Sequence, residues 1–430
     1  MAILVYRDRY GTRDLVGNIE RDPYGQGAAF SYEPAYLERA QAAGELGLST
    51  LLPLDVNPYA SDVLGPFIMG LLPEGEILGN LATIYQVPRS DYLTLIERTG
   101  CECIGALTFV SEGADPSDYD PRYDRVTQET IDAIAADPAR AATLAASDTR
   151  LSLAGAQSKV AWTLPFDIEI EKARLDDWLV PRGTAASTHI VKLSRKGEED
   201  IAANELACSL LAKACGIDTV DIHELAGLPG AIAVRRYDRL WQSVAGRPTV
   251  ARLHQEDFCQ ALGLAPYYKY QPQGVDANYP VMATNLIQSI SSNPRADGIE
   301  FAKRLVFCYA VGDSDAHLMN FSMLYDKDWR TQRLAPLYDV TCIPLTGYST
   351  LMPFDIGNHR KLEDIDARDI TMLASDLDVG LDAFDQAVGE VVGALRSPRL
   401  ERLETHIETM VARTLENASP RLRVLEQFLG

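Results

Sequence analysis

The sequence predicts an α+β fold split into two or three domains. Three observations carry this. Short β-rich runs separated by polar turns fill the amino-terminal part, whereas from Ala283 onward apolar residues recur mostly at helical spacing. The length, 430 residues, is too great for one simple core. Hydrophobic residues make up 47% and charged residues 23%, with neither Gly nor Pro in excess, so the composition is that of a soluble globular chain with ample core material.

In order, residues 1–110 read as a small α/β unit. Ile3-Leu4-Val5-Tyr6, Leu15-Val16-Gly17-Asn18-Ile19 and Ala29-Phe30-Ser31-Tyr32 have the character of short strands. Tyr36-Leu37 begins a helical pattern, and Phe67 opens another that contains the turn signal Pro73-Glu74-Gly75. Residues 111–148 carry Glu112, Asp115, Asp118, Asp120 and Asp124 and then an Ala-rich stretch; they read as an acidic connecting segment with a short helix. Residues 151–162 alternate around small central residues, as strand, tight turn and strand. Such a turn is either an ordinary hairpin or a place where backbone N–H groups approach phosphate oxygens.

Thr188-His189-Ile190-Val191-Lys192-Leu193 is a strand with one lysine. A lysine among apolar neighbours needs water at a sheet edge or an anionic partner. The helix that follows, 201–216, has Glu205 near its start, as favourable first-turn charge or as a partner for Lys192 or a metal. Residues 231–235 read as a strand leaving into the charged turn Arg236-Tyr237-Asp238-Arg239, and its end is suited to offer main-chain groups to an adenine ring. Residues 253–263 read as a helix, the Tyr- and Pro-rich stretch 264–280 as a surface loop, 301–309 as a helix, and 323–325 as a strand. Helical windows over 370–377, 384–395 and 400–415 complete the chain.

The net charge of −21 argues against a nucleic-acid-binding surface on this chain alone and suits a basic partner. The seven cysteines scatter without a CxxC, as expected of reduced, buried thiols, and the six histidines show no zinc spacing. No signal-peptide pattern or membrane-length apolar run occurs, so the expected location is cytoplasmic.

Chemistry concentrates at Gly312-Asp313-Ser314-Asp315-Ala316-His317-Leu318-Met319-Asn320. Phosphoryl transfer needs a carboxylate to accept the proton of the attacking hydroxyl, here Asp315. It also needs an amide oxygen five residues on to reach magnesium, here Asn320, and a further acidic group, here Asp339. An Asp-x4-Asn match alone is weak. However, the sequence also carries, in order, a small-residue turn, a strand lysine, an acidic helix, a strand with a charged exit, this loop and a late Asp. Protein kinases place their parts in that order along two lobes. The expected architecture is therefore a two-lobed protein-kinase-like core with a largely helical carboxy-terminal lobe. The expected boundaries are 1–110, 111–148, 149–250 for nucleotide binding and 251–430 for the catalytic lobe.

These residues also resemble a known family, the HipA-type serine/threonine kinases, toxins of type II toxin–antitoxin systems. The resemblance runs over Phe30-Ser31-Tyr32, Leu52-Pro53-Leu54, Leu71-Leu72-Pro73-Glu74-Gly75, Ile104-Gly105-Ala106-Leu107, 152–159, 188–192, Asn204-Glu205, 236–239, Gln255-Glu256-Asp257, Asp315-Ala316-His317 with Asn320, and Tyr338-Asp339. It implies ATP and Mg²⁺ as cofactors, with Asp315 as catalytic base and Asn320 and Asp339 holding the metal. Lys192 would contact ATP phosphates, and Ala154, Gly155, Ala156, Gln157, Ser158 and Lys159 would form the phosphate loop. Arg235, Arg236 and Tyr237 would form the adenine hinge, and His317 and Tyr338 would line the nucleotide site. Ser152 matches a serine that such kinases autophosphorylate. The implied partners are a DNA-binding, HipB-like antitoxin and a protein substrate such as an aminoacyl-tRNA synthetase. Asp313 and Met319 depart from the commoner pattern, which has Asn and a polar residue there. A binding role as corepressor with weak catalysis, or a small-molecule kinase on a similar core, remain the alternatives.

Overall fold

The computed structural model describes all residues except 1, 10–11, 23–26, 156, 195–199 and 275–276. It is α+β, and the chain separates into two compact units, neither continuous in sequence.

The first unit comprises residues 1–196, 223–266 and 324–331. Its largest sheet is antiparallel, in the order Tyr59–Ala60, Ala28–Tyr32, Thr12–Arg21, Ile3–Arg9, Leu107–Ser111. Period-two alternation sets its faces: Ile3 and Val5 are buried while Leu4 and Tyr6 are only partly covered. Helices Pro34–Ala43, Ser61–Gly70 and Tyr92–Thr99 pack on this sheet. The helix expected from Phe67 starts earlier, at Ser61, and Pro73-Glu74 separates it from the next, Gly75–Ile84.

Residues 151–162 are not a hairpin. Leu151–Ser152 pairs in parallel with Glu102–Cys103, whereas Lys159–Trp162 pairs with His189–Leu193, which in turn pairs with Ala231–Arg235. The stretch 111–148 forms a strand, Arg122–Arg125, paired with Leu179–Arg182, and two helices, Gln128–Ala136 and Pro138–Thr149. Ile134, Ala142 and Ala146 join the same core as Ile3, Phe30, Phe109, Trp162 and Trp329, so packing runs unbroken across positions 110 and 148. The helix expected over 253–263 is a strand, Gln255–Asp257, then a short helix, Phe258–Leu262. Asp257 and Gln260 form its capping box, which explains why the helix cannot start earlier.

The second unit comprises residues 197–222, 267–323 and 332–430 and is mostly helical. Helix Pro294–Val311 is its axis, with residues 301–311 buried. Helices Tyr279–Ile290, Ala367–Leu377, Leu381–Arg396 and Thr405–Leu429 pack around it. The last helix begins later and ends later than expected. Pro398 holds the chain extended after Arg396, while the buried stripe Ile407, Met410, Val411, Thr414, Ala418, Leu422, Leu425 continues through Pro420.

All seven cysteines are buried, and none forms a disulfide among the described residues. Among the described residues no helix is long and apolar enough to cross a membrane.

Candidate active site

In the second unit, the axial helix stops at Gly312 (φ 81°), whose N–H donates to the Cys308 and Tyr309 carbonyls. A side chain there would meet Arg421, so the turn requires glycine on both counts. The following loop is wired through its own backbone. The Asp315 N–H donates to Asp313 Oδ1 (3.3 Å). The Asp315 carbonyl accepts from the His317 N–H (2.7 Å) and from Asn320 Nδ2 (2.8 Å). That bond commits the amide nitrogen of Asn320 and leaves its oxygen as the group able to face a cation.

Asp313 is buried, and its carboxyl is pushed well above the usual carboxylate range, first by burial and then by the negative charges of Asp315 and Asp339. The negative charges of Asp315 and Asp339 thus both reach Asp313. Asp339 itself sits in the left-handed region (φ 59°), a costly backbone state that fixes where its side chain starts. Its segment is anchored by Asn204, which donates to the Cys342 carbonyl (2.9 Å) and accepts the Cys342 N–H (2.8 Å), and by the Leu337 N–H to Asp218 O bond. Glu205, next to Asn204, is buried rather than a solvated first-turn charge. Tyr338 donates to the Met319 carbonyl (2.8 Å) and contacts Ser322 Oγ (2.7 Å). Burial, then the charge of Lys269, pushes the His317 imidazole down to about 3, so the ring is neutral, and among the described residues its buried Nδ1 meets no hydrogen-bond partner.

Among the described residues no cluster of three or more His, Cys, Asp or Glu has metal-ligand geometry. An amide oxygen with crowded carboxylates still fits a hard divalent cation, which would relieve their repulsion. Asn320 and Asp339 are the residues that would hold it.

The other predicted residues lie in the first unit. Lys192 is buried in a strand with neighbours on both sides, which removes the edge-lysine explanation. It stands opposite Lys159 in register, and like charges so placed repel unless an anion lies between or beside them. Gly155 has φ 99°, its carbonyl accepts the Glu74 N–H (3.1 Å), and Lys159 donates to the Ala154 carbonyl. The small-residue loop thus rests on the Pro73-Glu74-Gly75 turn. Gln157 is half-buried, and the Ser158 carbonyl accepts the Leu193 N–H (2.9 Å). Ala156 lies outside the described residues. Ser152 is fully buried, and its hydroxyl donates to the Leu71 carbonyl.

The charged turn after residue 235 is not solvated. Arg236, Asp238 and Arg239 are buried with Glu102 in an ionic quartet: Arg236 to Glu102 3.1 Å, Arg239 to Glu102 2.7 Å, and each arginine to Asp238 2.8 Å. Burial opposes ionisation of Asp238 and Glu102, but the guanidinium groups outweigh it and hold both below their ordinary values. The Arg236 side chain is therefore structural, and only main chain is left there for an adenine. Arg235 is exposed, and the Tyr237 hydroxyl donates to Gln255.

The family model described as HipA N-terminal domain matches residues 10–110, and that described as HipA-like C-terminal domain matches residues 151–416. The chain belongs to the HipA family. A putative kinase, Y4mE of Sinorhizobium fredii, is 32% identical over 94% of this chain and 90% of its own length. The serine/threonine-protein kinase toxin HipA of Shewanella oneidensis is 27% identical over 69% of this chain and 67% of its own. A solved HipA of that species, in complex with HipB and operator DNA, matches the fold with a TM-score of 0.78 at 22% identity, covering 99% of both chains. Two features of this HipA-family chain carry no local signal in the sequence. They are the Glu102 quartet and a bond from the Tyr270 hydroxyl to Asp315, which comes from a stretch read as a surface loop.

Proposed function

We propose that the chain is an ATP- and Mg²⁺-dependent serine/threonine protein kinase. It acts as a cytoplasmic toxin of a toxin–antitoxin system on a translation component such as an aminoacyl-tRNA synthetase, and autophosphorylation at Ser152 switches it off. The observation that supports it most is that the charges of Asp315 and Asp339 both act on buried Asp313, in a loop that Asn320 closes by donating to the Asp315 carbonyl, in a HipA-family chain. Asp315 receives the proton as a serine Oγ bonds to the γ-phosphorus of ATP and ADP departs. Asn320 and Asp339 hold the metal, which when bound neutralises charge on the phosphate oxygens. Lys192, Lys159 and the N–H groups of 154–159 hold the phosphates; residues 235–237 offer main chain to the adenine; neutral His317 and Tyr338 line the nucleotide site.

Ser152 cannot be phosphorylated in its buried seat. Residues 151–152 must first leave their pairing with 102–103, and a phosphate of about −1.5 to −2 charge then bars their return and carries the phosphate loop out of place. Intact-mass measurement with peptide mapping after incubation with Mg²⁺ and ATP tests this. Wild type should gain phosphate at Ser152 and the Asp315→Ala variant none; labelling of Ser152 in that variant would remove Asp315 as the base.

A second reading, a corepressor whose catalysis is dispensable, is favoured by the solved HipA standing in a complex with HipB and operator DNA. Operator binding by the antitoxin, equal with wild type and Asp315→Ala, would support that role independently of chemistry.

A further inference from the structure

The carboxylate of Asp315 already receives a hydroxyl. The Tyr270 phenol donates to Asp315 Oδ1, and its ring stands edge-on to His317 at 5.2 Å. Three backbone bonds hold the Asp315 main chain without help from this phenol. The strap that carries Tyr270 is pinned on both sides. Lys269 O accepts the Leu318 N–H (3.3 Å). Gln271 donates from its N–H to Pro353 O (2.8 Å) and from Nε2 to Asp355 Oδ2 (2.7 Å), and its carbonyl accepts from Arg360 (2.8 Å). Yet Tyr270 itself is 42% exposed, so its ring borders solvent and is not locked in the core.

We propose that Tyr270 occupies the acceptor seat. Its phenol holds the position on Asp315 that a substrate hydroxyl takes during phosphoryl transfer, and an acceptor enters only by displacing it. This rests on the kinase reading above. A phenol is the same kind of group as the acceptor, an O–H donor, and while it bonds Asp315 Oδ1 an incoming hydroxyl cannot take that seat on the same oxygen. The plug raises the threshold for weakly bound acceptors and for water, and a protein that binds through a larger surface overcomes it.

The test compares wild type with Tyr270→Phe, which keeps the ring and the strap anchors and removes the donor. Transfer is measured to a synthetic peptide of residues 146–160, which carries Ser152, and to water as ATP hydrolysis. The variant should lower the KM for the peptide and raise hydrolysis, each by about tenfold, the scale of one competing hydrogen bond to a charged group, with the KM for ATP unchanged. An unchanged peptide KM with a lowered kcat would overturn the proposal, because Tyr270 would then orient the base. Phosphate mapped to Tyr270 in the wild type would also overturn it, making the residue an acceptor. Absence of any transfer by both proteins would overturn the kinase reading itself, and the Tyr270 assignment with it.

Discussion

Glu102→Gln isolates the ionic quartet beneath the 236–239 turn. The four side chains are 1–3% exposed and their formal charges cancel. The substitution preserves shape but leaves two arginines facing one carboxylate, with Arg252 adding a further nearby positive charge. Breaking a buried pair by removing one partner costs about 3–5 kcal/mol. The first unit holds about 250 residues, for which each kcal/mol moves the midpoint by about 2–4 °C, so its melting temperature should fall by about 6–20 °C. Scanning calorimetry would read this, and replacing Arg239 by Met in the same protein should restore part of the loss by removing the surplus charge. A Glu102→Gln midpoint within about 2 °C of wild type would refute the reasoning, because the quartet would then be open to water.

Three further outcomes follow from named contacts. Burial pushes the His254 imidazole down to about 4, below its usual 6.5, so its contribution to stability is full above about pH 6.5 and lost as pH falls toward 4. The loss should reach about 3 kcal/mol in the wild type and vanish from the pH dependence of His254→Phe, as read by urea unfolding at a series of pH values. Gly155→Ala strains a position at φ 99° and drives a methyl group onto Lys159. Titration calorimetry with a nucleotide analogue should show affinity weakened by about tenfold, and unchanged affinity would exclude the 154–159 loop from phosphate binding. Asp339→Asn keeps a residue tolerant of left-handed backbone but removes one of the crowded charges, so transfer should fall at least about 100-fold while the melting temperature holds or rises.

Local spacing made part of this legible. Asp315, Asn320 and Asp339 form a pattern that needs no knowledge of packing, and Lys192 stands out as a charge in an apolar run. What escaped depends on partners distant in sequence. Arg236, Asp238 and Arg239 look like a solvated turn until Glu102, more than 130 positions earlier, is brought against them. The alternation in 151–162 correctly marks two strands, but alternation does not name a strand's partner, and each pairs elsewhere. Tyr270 sits in a stretch rich in Tyr and Pro, which reads as surface; only the fold turns it back onto Asp315.

Glu256 binds the start of the chain to a segment made much later. It accepts from Ser49 Oγ, Thr50 N–H and Thr50 Oγ1, and Tyr325 donates to it as well (3.0 Å). His254 stacks on Trp329, whose carbonyl in turn accepts the Leu46 N–H. During synthesis the first hundred residues therefore wait, with an unfinished apolar face, until some 330 have been made. Such delayed closure is slow and exposes sticky intermediates. A gene truncated before codon 324 should therefore yield a product prone to clumping rather than a smaller working protein, because Tyr325 and Trp329 would be missing from that core.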